Sequence, residues 1–580
     1  MLVSTRELGL LLVSSVSLWA ASGGGDSIAR LTPAAAGPYR VSGSRILDAK
    51  GRPYLVRGTE LPTLTLRAAD VLGDAQEFGA FSPSSLISIR QRLNMNAVRL
   101  PVRPMEYEES GAYRARVAEV VRSANRFELL TILAADLGEQ VSAEALAHFW
   151  GHCAVDFKSY PNVFFAPGQG GALVDAIRAG GAEQPVVISM PPGMGSAQRA
   201  PQPERPLHGG EEGNIIYEGT PRYATTRTDE DRWRQFGSLS TRAPVLVNDL
   251  DPQLDQKSAE CAAFPSDPGA ATRMVQENLA YFDAHEISWV LSSYRPGKML
   301  TEYRYFNWSK LDDGWTCGEV PSRSGIAMIL AAHLWSGDPH GLFAVNHVNG
   351  GMVLARGGLA TAYGPILAER DMAAAAGQPL PMRLGNISVR VTDSRGTARL
   401  ARLVYTGAGW ANITFVVPAN AALGPAEVAV VRTDGSRSAG RAIIADVAPG
   451  FFTASADARG AVIGEVVQRG AGGGPTKTFE AAECGSSGCR AVPIALADRV
   501  TTTVRLAGSG LRNAGADAVV RVTVGGVAVP VVSFGAADTV GRDQVTIQLP
   551  AELRGAGETD LVMTVNGALS NVVRIHCGGL

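Results

Sequence analysis

Between Tyr54 and Trp335 the sequence alternates eight times between a short apolar run and a stretch of helical periodicity. The runs are Tyr54 to Val56, Ala97 to Leu100, Leu129 to Leu133, Val163 to Phe165, Val186 to Ser189, Ile215 to Tyr217, Val245 to Val247 and Ile287 to Leu291. Each reads as a strand buried on both faces, the pattern of a parallel sheet covered by helices. Eight alternations in ~300 residues predict a closed (β/α)8 TIM barrel. An open doubly wound sheet competes, and the lack of a glycine-rich phosphate fingerprint after the first strand counts against it. Caps mark helix starts at Ser82-Pro83, at Ser142 and at Thr228 with Asp231. The prolines at 191, 192, 201, 203 and 206 leave little helix between Met190 and Gly213, which predicts an irregular loop over the barrel mouth.

After Trp335 this rhythm stops. From Asn346 onward short Val-rich strands alternate with Gly, Pro and Asp-Gly punctuation, including the turns Asp434-Gly435 and Asn566-Gly567. Two units of about 100 residues each predict two all-β immunoglobulin-like sandwiches. The chain is therefore expected to be multidomain: a signal peptide over 1–22, a low-complexity linker over 23–38, the barrel over 39–345, and sandwiches over 346–450 and 451–580.

The signal peptide is read from Arg6, the apolar run Leu8 to Ala21 and the small residues Ala20, Ala21 and Ser22. It implies a secreted or cell-surface protein with no membrane span after cleavage, since no later segment is long and apolar enough. Export permits disulfides. Cys484 and Cys489, with Gly-Ser-Ser-Gly between them, are expected to pair, with Cys261 near Cys317, and Cys153 and Cys577 unpaired. A formal net charge of -2 with mixed signs gives no basic stripe, so neither nucleic acid nor an anionic membrane is an expected partner. The eight histidines are read as forming no pair at metal-ligand spacing, and there is no Gly-x-Ser-x-Gly or phosphate loop. Neither a metal nor another cofactor is expected.

Several segments carry a family resemblance. Tyr39-Arg40-Val41 through Gly51-Arg52-Pro53-Tyr54-Leu55-Val56-Arg57-Gly58 is similar to the opening hairpin and first strand of family 5 glycoside hydrolases. Asn96 to Pro101 resembles their second strand, Tyr160-Pro161-Asn162-Val163 the approach to their acid, and Tyr281-Phe282 to Trp289 with Tyr294-Arg295-Pro296-Gly297 their last strand and its loop. In the second half, Gly357 to Gly364, Trp410 to Pro418, Ala448 to Phe452, Val524 to Val527 and Ser570 to Val573 resemble the uncharacterised Solibacter-type C-terminal region of secreted bacterial proteins, with TIG-like modules. That region has no assigned activity and implies attachment or spacing.

The first resemblance implies a polysaccharide or oligosaccharide partner and a set of site residues. A retaining glycosidase sets two carboxyl groups about 5 Å apart across the scissile bond. The acid position corresponds to Gln169, whose amide has no proton to give, and the nucleophile position to Asp249, where the family has Glu. Arg99 matches the arginine that orients the nucleophile, and is expected either to pair with Asp249 or to serve as a buried ion pair of the barrel. Glu218 and Asp136, each ending a strand at the same face, are substitute catalytic carboxylates. Substrate contacts are expected from Tyr217, from Trp289 on the last strand, and from Tyr303 and Trp308 in the aromatic loop Tyr294 to Trp315. The expected function is a secreted glycoside hydrolase-like protein that binds or slowly cleaves a β-linked polysaccharide. The competing expectation is a surface adhesion protein whose sandwiches mediate attachment and whose barrel is a scaffold.

Overall fold

Alternate residues along each strand of the first half meet two different cores. The computed structural model describes residues 32–66, 79–136, 141–168, 171–190, 213–220, 228–248, 270–295, 299–300, 316–317, 320–321 and 326–579, apart from 365–366, 369, 376–378, 408–411, 457–458, 473 and 487. A hairpin of β1 (Arg40–Ser42) and β2 (Arg45–Leu47) precedes eight strands: β3 (Arg57–Glu60), β4 (Ala97–Val102), β5 (Leu130–Ala135), β6 (Val163–Gly168), β7 (Val186–Ser189), β8 (Ile215–Gly219), β9 (Val245–Val247) and β10 (Ser288–Leu291). All eight pair in parallel, and β10 closes onto β3 with Trp289 opposite Arg57 and Leu291 opposite Thr59. This is the expected closed barrel.

Ala97, Leu130, Ile132, Phe164, Val187, Ile216, Leu246 and Val290 fill the lumen. Their neighbours in sequence, including Val98, Leu133, Phe165, Ile188, Val247 and Trp289, face outward into the helix layer. The hairpin plugs the lower end: the Tyr39 ring lies 4.8 Å from Tyr54 and 5.3 Å, edge on, from Phe164. Asn162 ties the plug down by accepting the Gly37 amide at 2.8 Å.

The first strand was expected at Tyr54 to Val56 and is instead Arg57–Glu60. Tyr54 and Val56 still point into the lumen, but they serve the plug, and pairing with β4 begins at Gly58. The three caps form as expected: Ser82 accepts from Ser85, Ser142 accepts from Ala145, and Thr228 and Asp231 make a reciprocal capping box. The loop expected over the mouth between Met190 and Gly213 falls almost wholly outside the described residues.

Two β-sandwiches follow. In the first, a five-stranded sheet containing Phe343–Asn346, Leu359–Tyr363 and Asn412–Val416 faces another built on Gly424–Arg432 and Arg437–Ala445. The strand Phe343–Asn346 lies in this sheet and also touches the barrel: Phe343 and Val345 join the barrel's outer core, while Leu342 and Ala344 join the sandwich core. The second sandwich encloses Phe451, Val466, Leu506, Ile547, Met563 and Ile575 between its sheets. Hairpins turn at Asp434-Gly435 and Asn566-Gly567, with Asn566 and Gly567 both at positive φ. Cys484 and Cys489 are joined by a disulfide, and Cys153 and Cys577 are free and buried. Cys261 and the side chain of Cys317 lie outside the described residues.

Candidate functional site

A closed barrel carries chemistry where its strands end, because loops there can bring side chains from several strands over one lumen. At that rim Glu60 and Arg99 are register partners on β3 and β4, two residues above Gly58 and Ala97 on the lumen-facing parity. Glu218 has the same parity on β8, two residues past Ile216. Arg99 Nη1 donates to Glu218 Oε1 at 2.5 Å, and Arg99 Nε lies 3.3 Å from Glu60 Oε2. Arg99 and Glu218 are each only 8% exposed. Beneath them the lumen is apolar, and among the described residues two carboxylates and one guanidinium meet above it.

Asn248, two residues past Leu246 on β9, adds a polar group. Its amide donates to Gly219, and its buried Oδ1 has no hydrogen-bond partner among the described residues. A buried acceptor without a partner is costly unless a ligand or water supplies the donor.

Arg99 was expected either to pair with Asp249 or to serve as a buried ion pair of the barrel; its described partners are Glu218 and Glu60. Gln169, Asp249, Tyr303 and Trp308 lie outside the described residues. Asp136 is half-buried just past β5, its amide donating to Val102, and its charge acts on Arg103 and Tyr113. Arg99 is level with Ile132 on β5, so Asp136 stands four residues, about 13 Å, farther along the strand. Tyr217 and Trp289 are corrected. Both have outward parity: Tyr217 packs on the outer core, where burial pushes its phenol above the usual range, and Trp289 is wholly buried there with the Arg57 guanidinium 5.6 Å from its ring centre. Neither ring faces the lumen.

Glu60, His148 and His152 escaped sequence reasoning. Glu60 was missed because the first strand was ended at Val56; the lumen-parity series Val56, Gly58, Glu60 was the available signal. The histidine reading is also corrected, since His148 and His152 stand at i and i+4 on the helix Ala143–Phe157 and share Glu108. A cavity of about 130 Å³ lined in part by Ile46, Tyr54, Pro244 and Glu286 lies at the plugged end, opposite the rim.

No family model matches the sequence, and no curated protein matches it. Among solved structures the chain is similar to a β-glucanase from Saccharophagus degradans, at 17% identity over 51% of this chain and 95% of that one, with a TM-score of 0.35. It is similar to the catalytic domain of an endoglucanase from Thermobifida fusca in complex with cellotetraose, at 16% identity over 51% and 97%, with a TM-score of 0.37. A β-glycosidase from Bacteroides vulgatus matches at 9% identity over 93% of this chain and 66% of that one, with a TM-score of 0.32.

Proposed function

We propose that the barrel rim binds a β-linked oligosaccharide and that Glu218 is the carboxylate on which recognition, and any slow hydrolysis, depends. The observation that carries this reading is the lumen-facing bridge Glu60, Arg99, Glu218 at the C-terminal ends of three strands. An arginine held against a carboxylate aims it, as attack on an anomeric carbon or stabilisation of an oxocarbenium-like charge requires. Asn248 Oδ1, without a hydrogen-bond partner among the described residues, supplies an acceptor for a sugar hydroxyl. Slow hydrolysis is part of this reading because the position matched to the acid by family resemblance is Gln169, whose amide has no proton to give. General-acid assistance contributes roughly 100- to 10,000-fold, so its loss leaves binding intact and turnover poor. Export is part of the same reading, supported by the N-terminal pattern and by the Cys484–Cys489 disulfide. The sandwiches then serve as attachment or spacing modules.

The test uses the full chain and cello-oligosaccharides, the ligand class of the cellotetraose held by the endoglucanase. Calorimetric titration is expected to show binding that Glu218→Gln weakens at least about tenfold, with an unchanged far-UV spectrum. Wild-type protein that binds none of these glycans, or binding indifferent to Glu218→Gln, overturns the reading. An activated aryl β-glycoside should be cleaved faster than an oligosaccharide, since a good leaving group needs no acid. Gln169→Glu combined with Asp249→Glu should raise turnover more than either change alone if the family positions, and not Glu60 and Glu218, are the working pair.

A further inference from the structure

Glu108 is the penultimate residue of the short helix Pro104–Glu109 that follows β4, and His148 and His152 stand one turn apart on Ala143–Phe157, which follows β5. A four-residue step puts both imidazoles on one helix face. Their Nδ1 atoms lie 3.1 and 2.9 Å from the same Glu108 oxygen, Oε2, and the rings are 4.3 Å apart between centres. One donor atom from each residue fits within 4.8 Å of the other two.

These distances have a chemical meaning. A tetrahedral ion with bonds of ~2.0–2.1 Å holds its ligands about 3.3 Å from one another, so seating one opens the two Glu108 contacts by a few tenths of an ångström and brings the imidazole nitrogens, within 4.8 Å of each other, to that spacing. The frame beneath it is fixed. Tyr107 and Phe149, adjacent in sequence to Glu108 and His148, are buried with their rings 5.3 Å apart edge on, and the Tyr107 hydroxyl donates to Asp156 on the histidine helix at 2.6 Å. The imidazoles are 64% and 47% exposed, which leaves the outer coordination position to water.

We infer that Glu108, His148 and His152 form a surface site for a zinc-class divalent transition-metal ion that clips the helix after β4 to the helix after β5. Two imidazoles and one carboxylate suit zinc, nickel or copper; calcium and magnesium call for a shell of oxygens. The site is separate from the Arg99 cluster and does not rest on the carbohydrate reading. Its role is to tie together two elements that leave neighbouring strands at the rim.

Full-length protein stripped with a chelator and titrated with zinc chloride in a calorimeter provides the test. One ion per chain is expected, with no heat from calcium chloride. His148→Ala and His152→Ala should each weaken zinc at least about tenfold, the loss that even an outer partner of a metal ligand causes. Zinc should also raise the melting temperature of the wild type and leave that of the double variant unmoved, while His340→Gln binds like wild type. The proposal fails if the stripped wild type takes up no zinc, or if a folded double variant binds it as well as the wild type does. Should the alanine pair not fold, the corresponding glutamine pair is titrated in its place, with the same loss of zinc expected.

Discussion

Trp289 lies outside the lumen against the helices and Glu218 inside it, although both belong to strands of the same barrel. Side chains in a strand alternate faces, so one residue of offset separates a packing group from a site group. Trp289→Ala should therefore lower stability by about 3–5 kcal/mol in urea unfolding, the usual cost of emptying a buried aromatic, and leave oligosaccharide affinity unchanged in the folded fraction. Asp393 gives a pH test in the first sandwich. Its carboxylate accepts from the amides of Ala422, Thr397 and Arg395 and pairs with Arg399; the Ala422 bond leads these in holding its pKa at about 2. A depressed folded value means that the stabilisation is complete above the unfolded pKa of about 4 and is lost as pH falls through about 2. The urea midpoint should accordingly drop across that window in the wild type and less steeply in Asp393→Asn.

Among the elements, those marked by a local physical signal were readable from the sequence. Apolar runs located all eight barrel strands to within a few residues, and side chains able to accept an amide hydrogen located the caps. Ser142→Ala should cost about 1 kcal/mol, measured by thermal or urea unfolding, since only the hydroxyl that accepts from Ala145 is lost. The site was less legible, because it depends on where a strand stops and which face it shows. Ending the first strand at Val56 hid Glu60, and no local pattern could show that Arg99 on the second strand reaches Glu218 on the sixth, 119 residues away. Strand β6 adds a further obstacle: its register with β7 shifts between Phe165 and Gly168, so a linear match to Gln169 crosses an irregularity. The pair His148 and His152 was legible by spacing alone and was passed over.

At the scale of the molecule the parts are joined by packing as well as by chain. Trp335 Nε1 donates to Arg92 and Asn94 Nδ2 to Leu334, both at 2.7 Å, fixing the last barrel helix, Ile326–Ser336, against the segment before β4. Asn346 Nδ2 donates to Ala448 and the Leu359 amide to Ser509, tying the first sandwich to the second. Gly440 passes so close to the seam that an added Cβ would lie 1.8 Å from the Leu342 carbonyl oxygen. Chains ending after Asp446 should fold as barrel plus first sandwich. Chains ending after Val345 should be insoluble or lack cooperative melting, because Phe343 and Val345 remain in the barrel core while the strand that pairs with them, Leu359–Tyr363, is gone. Calorimetry and solubility of the two truncations check this.

The strand Phe343–Asn346 also bears on how such a chain can be recombined. Domains that meet through a tether can be exchanged by cutting the tether, and each carries its own interior with it. Here one strand supplies interior to both neighbours from its opposite faces, so a crossover placed at the compositional break near residue 346 would hand each parent half of a core. Viable chimeras of this protein should therefore take the barrel and its first sandwich as one heritable unit, with the next permissible junction in the segment that leads into the second sandwich.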